Sequence, residues 1–427
     1  MAPDLVGTSP EYDGAGRDVT PGIHDHHLHL FATAARMNSI HLSQCGSEAD
    51  VIRQLRTAGP TDSAEWIRAT GLTEIDGQIP DRHQLDQWVA DRPLRIQDRT
   101  GALWLLNSAA IERLGSATYP PCVEIDASGQ PTGRIWRGDQ WLREVIGSAA
   151  PSLKRLSQLL AAEGITSVTD AGASNGAEEA HLFAEAIARG ELTQHLTVMG
   201  CESLPLSTKF ERGPLKLLYD ERDPVDPHTI AERICHARAQ NRNVAAHCVT
   251  IGELIIYLEA LDLAGGALPG DRVEHGGIIP KEMIASLRDR ALTVITQPDF
   301  IRCRGDRYIA TMPEDERDDL YRLSSLVDAG VEVRVGSDAP YGSFSPWQAM
   351  VAACTRETSS GAVISRGEAI SAHAAARLFG IDDPAAFRIG AAADLCLLGA
   401  PLRQCVGQVH NSPVETTFIA GVPVFER

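Results

Sequence analysis

Pro21-Gly22-Ile23-His24-Asp25-His26-His27-Leu28-His29 closes a short apolar segment punctuated by Gly and Pro, and it sets two imidazoles two residues apart. Side chains at i and i+2 of a strand share one face, so His27 and His29 converge on a point where a single metal ion fits. Neutral imidazole is a common ligand for zinc-like metals. In a regular strand Asp25 lies on the same face and is expected to orient the two rings from behind. Taken alone, the pair also fits a His-rich surface turn.

Four later segments repeat the pattern of an apolar run ending in a ligand-capable residue. Gly213–Asp220 embeds Lys216 among apolar residues, Val244–His247 ends in His, Asp271–Gly277 carries His275, and Val331–Asp338 ends in Asp. Each reads as a buried parallel strand running into a loop. Helix-like segments alternate with them, at Thr229–Asn241, Ile251–Ala264, Lys281–Arg290 and Asp315–Ala329. Strand–helix alternation of this kind predicts an α/β fold, a (β/α)8 TIM barrel. Its C-terminal strand ends meet on one face, so ligands far apart in sequence share one site.

In this ordered set the chain resembles the amidohydrolase superfamily of metal-dependent hydrolases, and within it the amidohydrolase 3 branch, which includes deformylase-like enzymes. The resemblance rests on the Pro-Gly-x-x-Asp-x-His-x-His start, the strand-end Lys216, the two later His, the Val294–Pro298 run and Gly336-Ser-Asp-Ala-Pro340. It implies a metal-binding role for His27, His29, Lys216, His247, His275 and Asp338. On that resemblance His27, His29 and Asp338 would hold the more buried ion, and His247 and His275 would hold a second. Lys216 would bridge the two as a carbamate formed with carbon dioxide. The alternative is an uncarboxylated Lys216 whose own charge occupies the second site. One or two divalent ions are therefore expected. Zinc is the first candidate, and manganese and iron suit the same ligands.

The implied reaction is hydrolysis of a C–N bond in a small amide or cyclic amide. A bound divalent metal lowers the pKa of water from 15.7 to about 7 and supplies hydroxide at neutral pH. Asp338 and His275 are the expected catalytic residues, with Asp338 as the proton shuttle. The same ligands also serve deaminases, esterases and metal-dependent decarboxylases. A non-catalytic barrel that only binds is the reading from another class.

Departures from the branch bear on substrate. Relatives often carry Asp-Gly-His after the second strand, where this chain reads Arg99-Thr-Gly-Ala-Leu-Trp104-Leu-Leu-Asn-Ser108. The loop Gln297–Arg307 holds Arg302, Arg304 and Arg307, and a guanidinium near a strand end suits an anionic group; pairing with Asp299 and Asp306 is the plainer alternative. Arg99, Trp104, Gln297, Arg304 and Tyr341 are the residues expected to contact substrate. Tyr341, Phe344 and Trp347 form either an aromatic wall or the core of the next helix.

The barrel is expected over residues 19–380, with insertions at about 40–92, between the first and second strands, and 116–150, where Trp136 and Trp141 either cap the site or pack as an ordinary excursion. Residues 1–18 and 381–427 would form a small, reduced β-sandwich contributed mainly by the C-terminus, with Gly390–Leu398 and Glu415–Phe425 as its strands. Its exposed edges suggest a homodimer contact.

Gly172-Ala-Ser174-Asn-Gly176 fits a nucleophile elbow, but no oxyanion stretch accompanies it, and no phosphate loop, dinucleotide fingerprint or CxxC pair is present. The 427 residues carry a net charge of −18, which argues against nucleic-acid partners. No long apolar span or signal core points to a membrane. Nine Cys without framework spacing suit a reducing compartment, so a cytoplasmic enzyme acting on a small molecule is expected.

Overall fold

The computed structural model describes residues 12–57, 66–75, 77–115, 118–147, 150–219, 225–381, 387–388, 390–406 and 412–427. These fall into two compact units, one of residues 1–29 with 154–427 and one of residues 30–153.

The larger unit holds eight strands: β1 (Ile23–Leu28), β2 (Ile165–Asp170), β3 (His195–Gly200), β4 (Glu211–Leu217), β5 (Val244–Cys248), β6 (Arg272–His275), β7 (Thr293–Thr296) and β8 (Glu332–Val335). They are hydrogen-bonded in chain order in a single sheet, and every neighbouring pair is parallel. The sheet curls until the chain just past β8 meets the end of β1. Asp338 N–H donates to the His27 carbonyl at 2.7 Å, and His29 N–H donates to the Ala339 carbonyl at 2.8 Å. The expected (β/α)8 barrel is therefore present.

The apolar runs behave as parallel strands covered on both faces: Val244, Ala245 and Ala246 of β5 are fully buried. Helix starts follow local chemistry. Asp226 accepts from His228 N–H with Pro227 at the first helical turn of Pro227–Ala239. Thr250 and Glu253 form a capping box at Ile251–Leu263. One expected helix is broken. In place of Asp315–Ala329 the structure has Glu314–Arg317 and Ser324–Asp328. Between them Arg356 donates to the Leu320 and Tyr321 carbonyls at 2.8 and 2.9 Å, and Tyr321 N–H donates to Gly277. Tyr321 takes a φ of +42°, so tertiary bonds override a continuous helical pattern.

A four-stranded antiparallel sheet joins Asp18–Pro21 to Leu395–Leu398, Val414–Ile419 and Val422–Glu426. Three of its strands are C-terminal, as expected, and it is one sheet rather than two stacked ones among the described residues.

The unit of residues 30–153 carries its own six-stranded mixed sheet in the order Ile40–His41, Ile67–Leu72, Leu94–Asp98, Leu103–Leu106, Pro131–Trp136, Val123–Ile125. Leu94–Asp98, which lies between the 40–92 excursion and Arg99 where the second barrel strand is expected, belongs here. It turns straight back into Leu103–Leu106 as an antiparallel hairpin, and the Asp98 carboxylate accepts from Thr100 and Leu103 N–H at 3.1 Å each. Such a turn leaves no room for the crossover that a parallel barrel strand requires. Both sequence excursions, at 40–92 and 116–150, lie inside this unit. No helix among the described residues is long and apolar enough to cross a membrane, and all nine Cys are free thiols.

Candidate metal centre

The closure of the barrel assembles the first ligand set. His27 and His29 lie at the end of β1, Asp338 just beyond β8, and one ligand atom from each falls within 4.8 Å of the others. Asp338 Oδ1 is 3.2 Å from His29 Nε2 and 3.6 Å from His27 Nε2. Two features permit this approach. Asp338 holds a left-handed backbone, φ +50°, which Asp tolerates better than most residues. Gly336 lies against His27, where any Cβ would collide with the His27 Cβ and backbone.

The remaining predicted ligands gather around this trio. The His27 and His275 rings are 4.7 Å apart between centroids, and the His247 and His275 rings 4.5 Å. His275 also has a positive φ, +71°, at the end of β6. Strained backbone at two strand-end candidate ligands is the kind that clusters at functional sites. Lys216, on β4, is buried, and its Nζ has no hydrogen-bond partner. Burial pulls its pKa down, against the pull of Glu274 and Asp338 charge. Burial likewise holds His27 and His275 well below the ordinary imidazole value, so both are neutral at pH 7 and have a lone pair to offer. At His29 burial acts in the same direction, but the hydrogen bond and charge of Asp338 outweigh it and raise the pKa.

The two most buried imidazoles are each held at the far nitrogen. Glu274 Oε2 accepts from His27 Nδ1, and Gln297 Oε1 accepts from His275 Nδ1 at 3.0 Å. These bonds select the tautomer that leaves each Nε2 lone pair facing the cluster, the usual arrangement behind a metal-ligating His. Glu274 is held in turn by Arg272 Nε at 2.7 Å, and Arg272 also donates to the His26 carbonyl at 2.8 Å.

Asp25 does not orient the rings. Its carboxylate accepts from the backbone N–H of His27 at 3.1 Å and of Ser337 at 2.9 Å, tying β1 to the chain beyond β8. The pairing register shifts between Asp25 and Leu28, so strict alternation, on which the sequence expectation rested, breaks there. Burial pushes the Asp25 carboxyl up to about 6, against the Ser337 and His27 hydrogen bonds. Sequence reasoning also passed over Asp170, the last residue of β2, which is buried and whose charge reaches His29. Its signal was available: a carboxylate one residue before the end of the run Ile165–Ala171.

The expected substrate residues divide. Gln297 is fully buried behind His275. The Tyr341 ring stands edge-on to His29 at 5.9 Å. Arg304 stacks on Phe300 and donates to the Tyr341 carbonyl at 3.1 Å. Arg99 and Trp104 belong to the unit of residues 30–153. There Trp104 is buried, its indole donates to Asp139 at 2.8 Å, and Arg68 and Arg95 lie over its ring. In the same unit Trp141 packs edge-on to Tyr119, while Trp136 is exposed. Trp347 is a core residue of Pro346–Thr355.

Neutral buried imidazoles, a nearby carboxylate and a buried amine that lacks any acceptor make a donor set that fits divalent cations. The sequence matches the family model described as Amidohydrolase family over residues 11–425. An N-substituted formamide deformylase of Arthrobacter pascens is 24% identical, covering 99% of this chain and 93% of its own. The putative amidohydrolase YtcJ of Bacillus subtilis (strain 168) is also 24% identical, over 96% of this chain and 90% of its own. The crystal structure of an uncharacterized metal-dependent hydrolase from Pyrococcus horikoshii OT3 superposes with a TM-score of 0.72 at 20% identity, covering 93% of this chain and 89% of that one. Family match, barrel and ligand cluster agree, and the chain belongs to the amidohydrolase family of metal-dependent hydrolases.

Proposed function

We propose that this enzyme hydrolyses the C–N bond of a small amide or cyclic amide. The observation that carries the reading is the convergence of His27, His29 and Asp338 within 4.8 Å at the barrel closure. These three residues would hold one divalent ion, with zinc the first candidate. His247, His275 and a carboxylated Lys216 would hold a second. The orphaned Lys216 Nζ supports that step: burial, which lowers the Lys216 pKa, favours the free amine that is nucleophilic toward carbon dioxide, and a carbamate provides two anionic oxygens where an ammonium provides none. A bound divalent ion supplies Lewis acidity to a carbonyl oxygen and acidifies water.

The chain's own residues do the rest. Glu274 and Gln297 keep the His27 and His275 lone pairs directed at the cluster. Asp338, within hydrogen-bond reach of His29, takes the proton of the attacking water and returns it to the departing nitrogen, so the amide becomes a carboxylic acid and an amine. The deformylase of Arthrobacter pascens supports formamides as the first substrates to try.

Elemental analysis of protein purified without chelator and supplied with bicarbonate, followed by assay of formate, amine, ammonia and carbon dioxide release from formamides and cyclic amides, tests the proposal. Two metal equivalents, C–N hydrolysis, and a loss of about 10²–10⁴-fold in kcat for Asp338→Asn are expected. Absence of metal after reconstitution, or an undiminished Asn variant, overturns it.

A further inference from the structure

Three Arg lie on the helix Asp299–Thr311, which follows β7. Arg302 is neutralised by Asp299, whose Oδ1 accepts from its Nε at 2.6 Å. Arg307 is exposed. Arg304 is different. Its guanidinium carbon stands 3.6 Å from the centroid of the Phe300 ring, and Nη2 donates to the Tyr341 carbonyl at 3.1 Å. Among the described residues no carboxylate lies within ion-pair distance of it, and most of its N–H donors have no protein acceptor. A guanidinium that is half-buried and stacked on an aromatic face has already lost much of its hydration and its rotamer freedom. A stacked, fixed fork with open donors is the arrangement that binds a carboxylate through two parallel hydrogen bonds.

Its place relative to the reacting residues is set by short links. Tyr341 N–H donates to the Asp338 carbonyl at 2.7 Å, and the Tyr341 ring meets His29 edge-on. The Asp338 charge acts on Arg304. Arg304 is thus fastened to the same turn that carries the expected proton shuttle.

We infer that Arg304 is the specificity-determining anchor for a carboxylate on the substrate, and that the enzyme acts on small amides bearing such a group, of the N-acyl or N-formyl amino acid class. This rests on the reading of the site as a C–N hydrolase. The other end of such a substrate, the scissile amide, would lie at the His27–His29–Asp338 cluster.

The test compares N-formyl-leucine with N-formyl-isoamylamine, which differ only in the carboxylate, in wild type, Arg304→Met and Arg304→Lys. Wild type should favour the acid at least tenfold in kcat/KM. The preference should collapse toward unity in Arg304→Met, mainly through KM, and return in part in Arg304→Lys. Equal losses for both compounds in Arg304→Met would mean a structural role and overturn the inference, as would a wild type that favours the neutral amide. If neither compound is turned over, the hydrolase reading fails for formamides, and calorimetry of N-acetyl-leucine against N-acetyl-isoamylamine on the metal-loaded protein decides the anchor separately. Tighter binding of the acid that disappears in Arg304→Met supports it, and equal binding of the two ligands by wild type overturns it.

Discussion

Glu274 accepts a hydrogen bond from Nδ1 of His27, a residue 247 positions earlier in the chain, and the contact is wholly buried. Arg272, two positions earlier on the same face of β6, completes the arrangement by binding both the Glu274 carboxylate and the His26 carbonyl. One Arg–Glu pair thereby fixes the ring and the backbone at the end of β1.

Glu274→Gln tests that pairing. Glu274 receives Arg272 on Oε1 and His27 on Oε2, and an amide keeps an oxygen at only one of those two places. Turning its NH2 toward His27 demands the tautomer with Nε2–H, which has no lone pair for a metal. Metal affinity should fall about 10–100-fold, the usual cost of removing a partner behind a ligand, while circular dichroism stays native. Unchanged affinity in a chelator competition would show that Glu274 does not set the His27 tautomer.

Much of this site was legible in the sequence, and the rest was hidden for physical reasons. His27, His29 and Asp338 announced themselves by residue type at the ends of apolar runs, and the structure brings them together. Period-two reasoning misassigned Asp25 because it assumes an unbroken strand, and the register shift before Leu28 is a tertiary event. Glu274 was passed over for a related reason. It precedes His275, so regular alternation puts the two on opposite faces, and the left-handed backbone of His275 breaks that alternation. Leu94–Asp98 has the composition of a barrel strand, but its partner was decided by the hairpin that follows it. The broken helix between Glu314 and Asp328 depended on Arg356, which lies beyond it in sequence and takes the Leu320 and Tyr321 carbonyls.

Lys216→Met separates the two fates of the lysine. Met matches the apolar stem and removes only the unpartnered Nζ, so the folded state loses no hydrogen bond. Thermal stability of the metal-free protein should hold or rise by about 1 kcal/mol, because a buried group without an acceptor is costly to keep. Metal content should drop from two equivalents to one. A variant that still binds two ions would show that Lys216 is no bridge.

Acid should selectively weaken the link between Arg322 and Glu368. Burial raises the Glu368 pKa, but the N–H groups of Ser325 and Leu323 and the Arg322 guanidinium outweigh it and leave the value lowered. A folded-state pKa below the unfolded one contributes stability that is fully present above the unfolded value, about 4.3, and is lost as pH falls through the folded value. Glu368→Gln should therefore melt below wild type at pH 7, by about 1–3 kcal/mol, with the gap narrowing below about pH 4. A gap independent of pH would mean that the carboxylate charge contributes nothing there.

Gly336→Ala should damage the metal centre without touching a ligand. The methyl group would meet His27 Cβ, and it would lie 2.7 Å from the His27 nitrogen and 2.9 Å from its Cα. That backbone cannot retreat freely, because the His27 carbonyl accepts from Asp338 N–H and its own N–H is held by Asp25. Overpacking at such a point typically costs about 1–3 kcal/mol. The strain falls on the seam between β1 and β8, where His27, His29 and Asp338 must stay within 4.8 Å. Metal occupancy should fall along with the melting temperature. Gly367→Ala is the control, since a Cβ there meets nothing within 4 Å and the backbone is not left-handed; it should leave both quantities unchanged. Full metal occupancy in Gly336→Ala would mean that the seam yields without moving its ligands, and that close approach of β8 to His27 is not what builds the site.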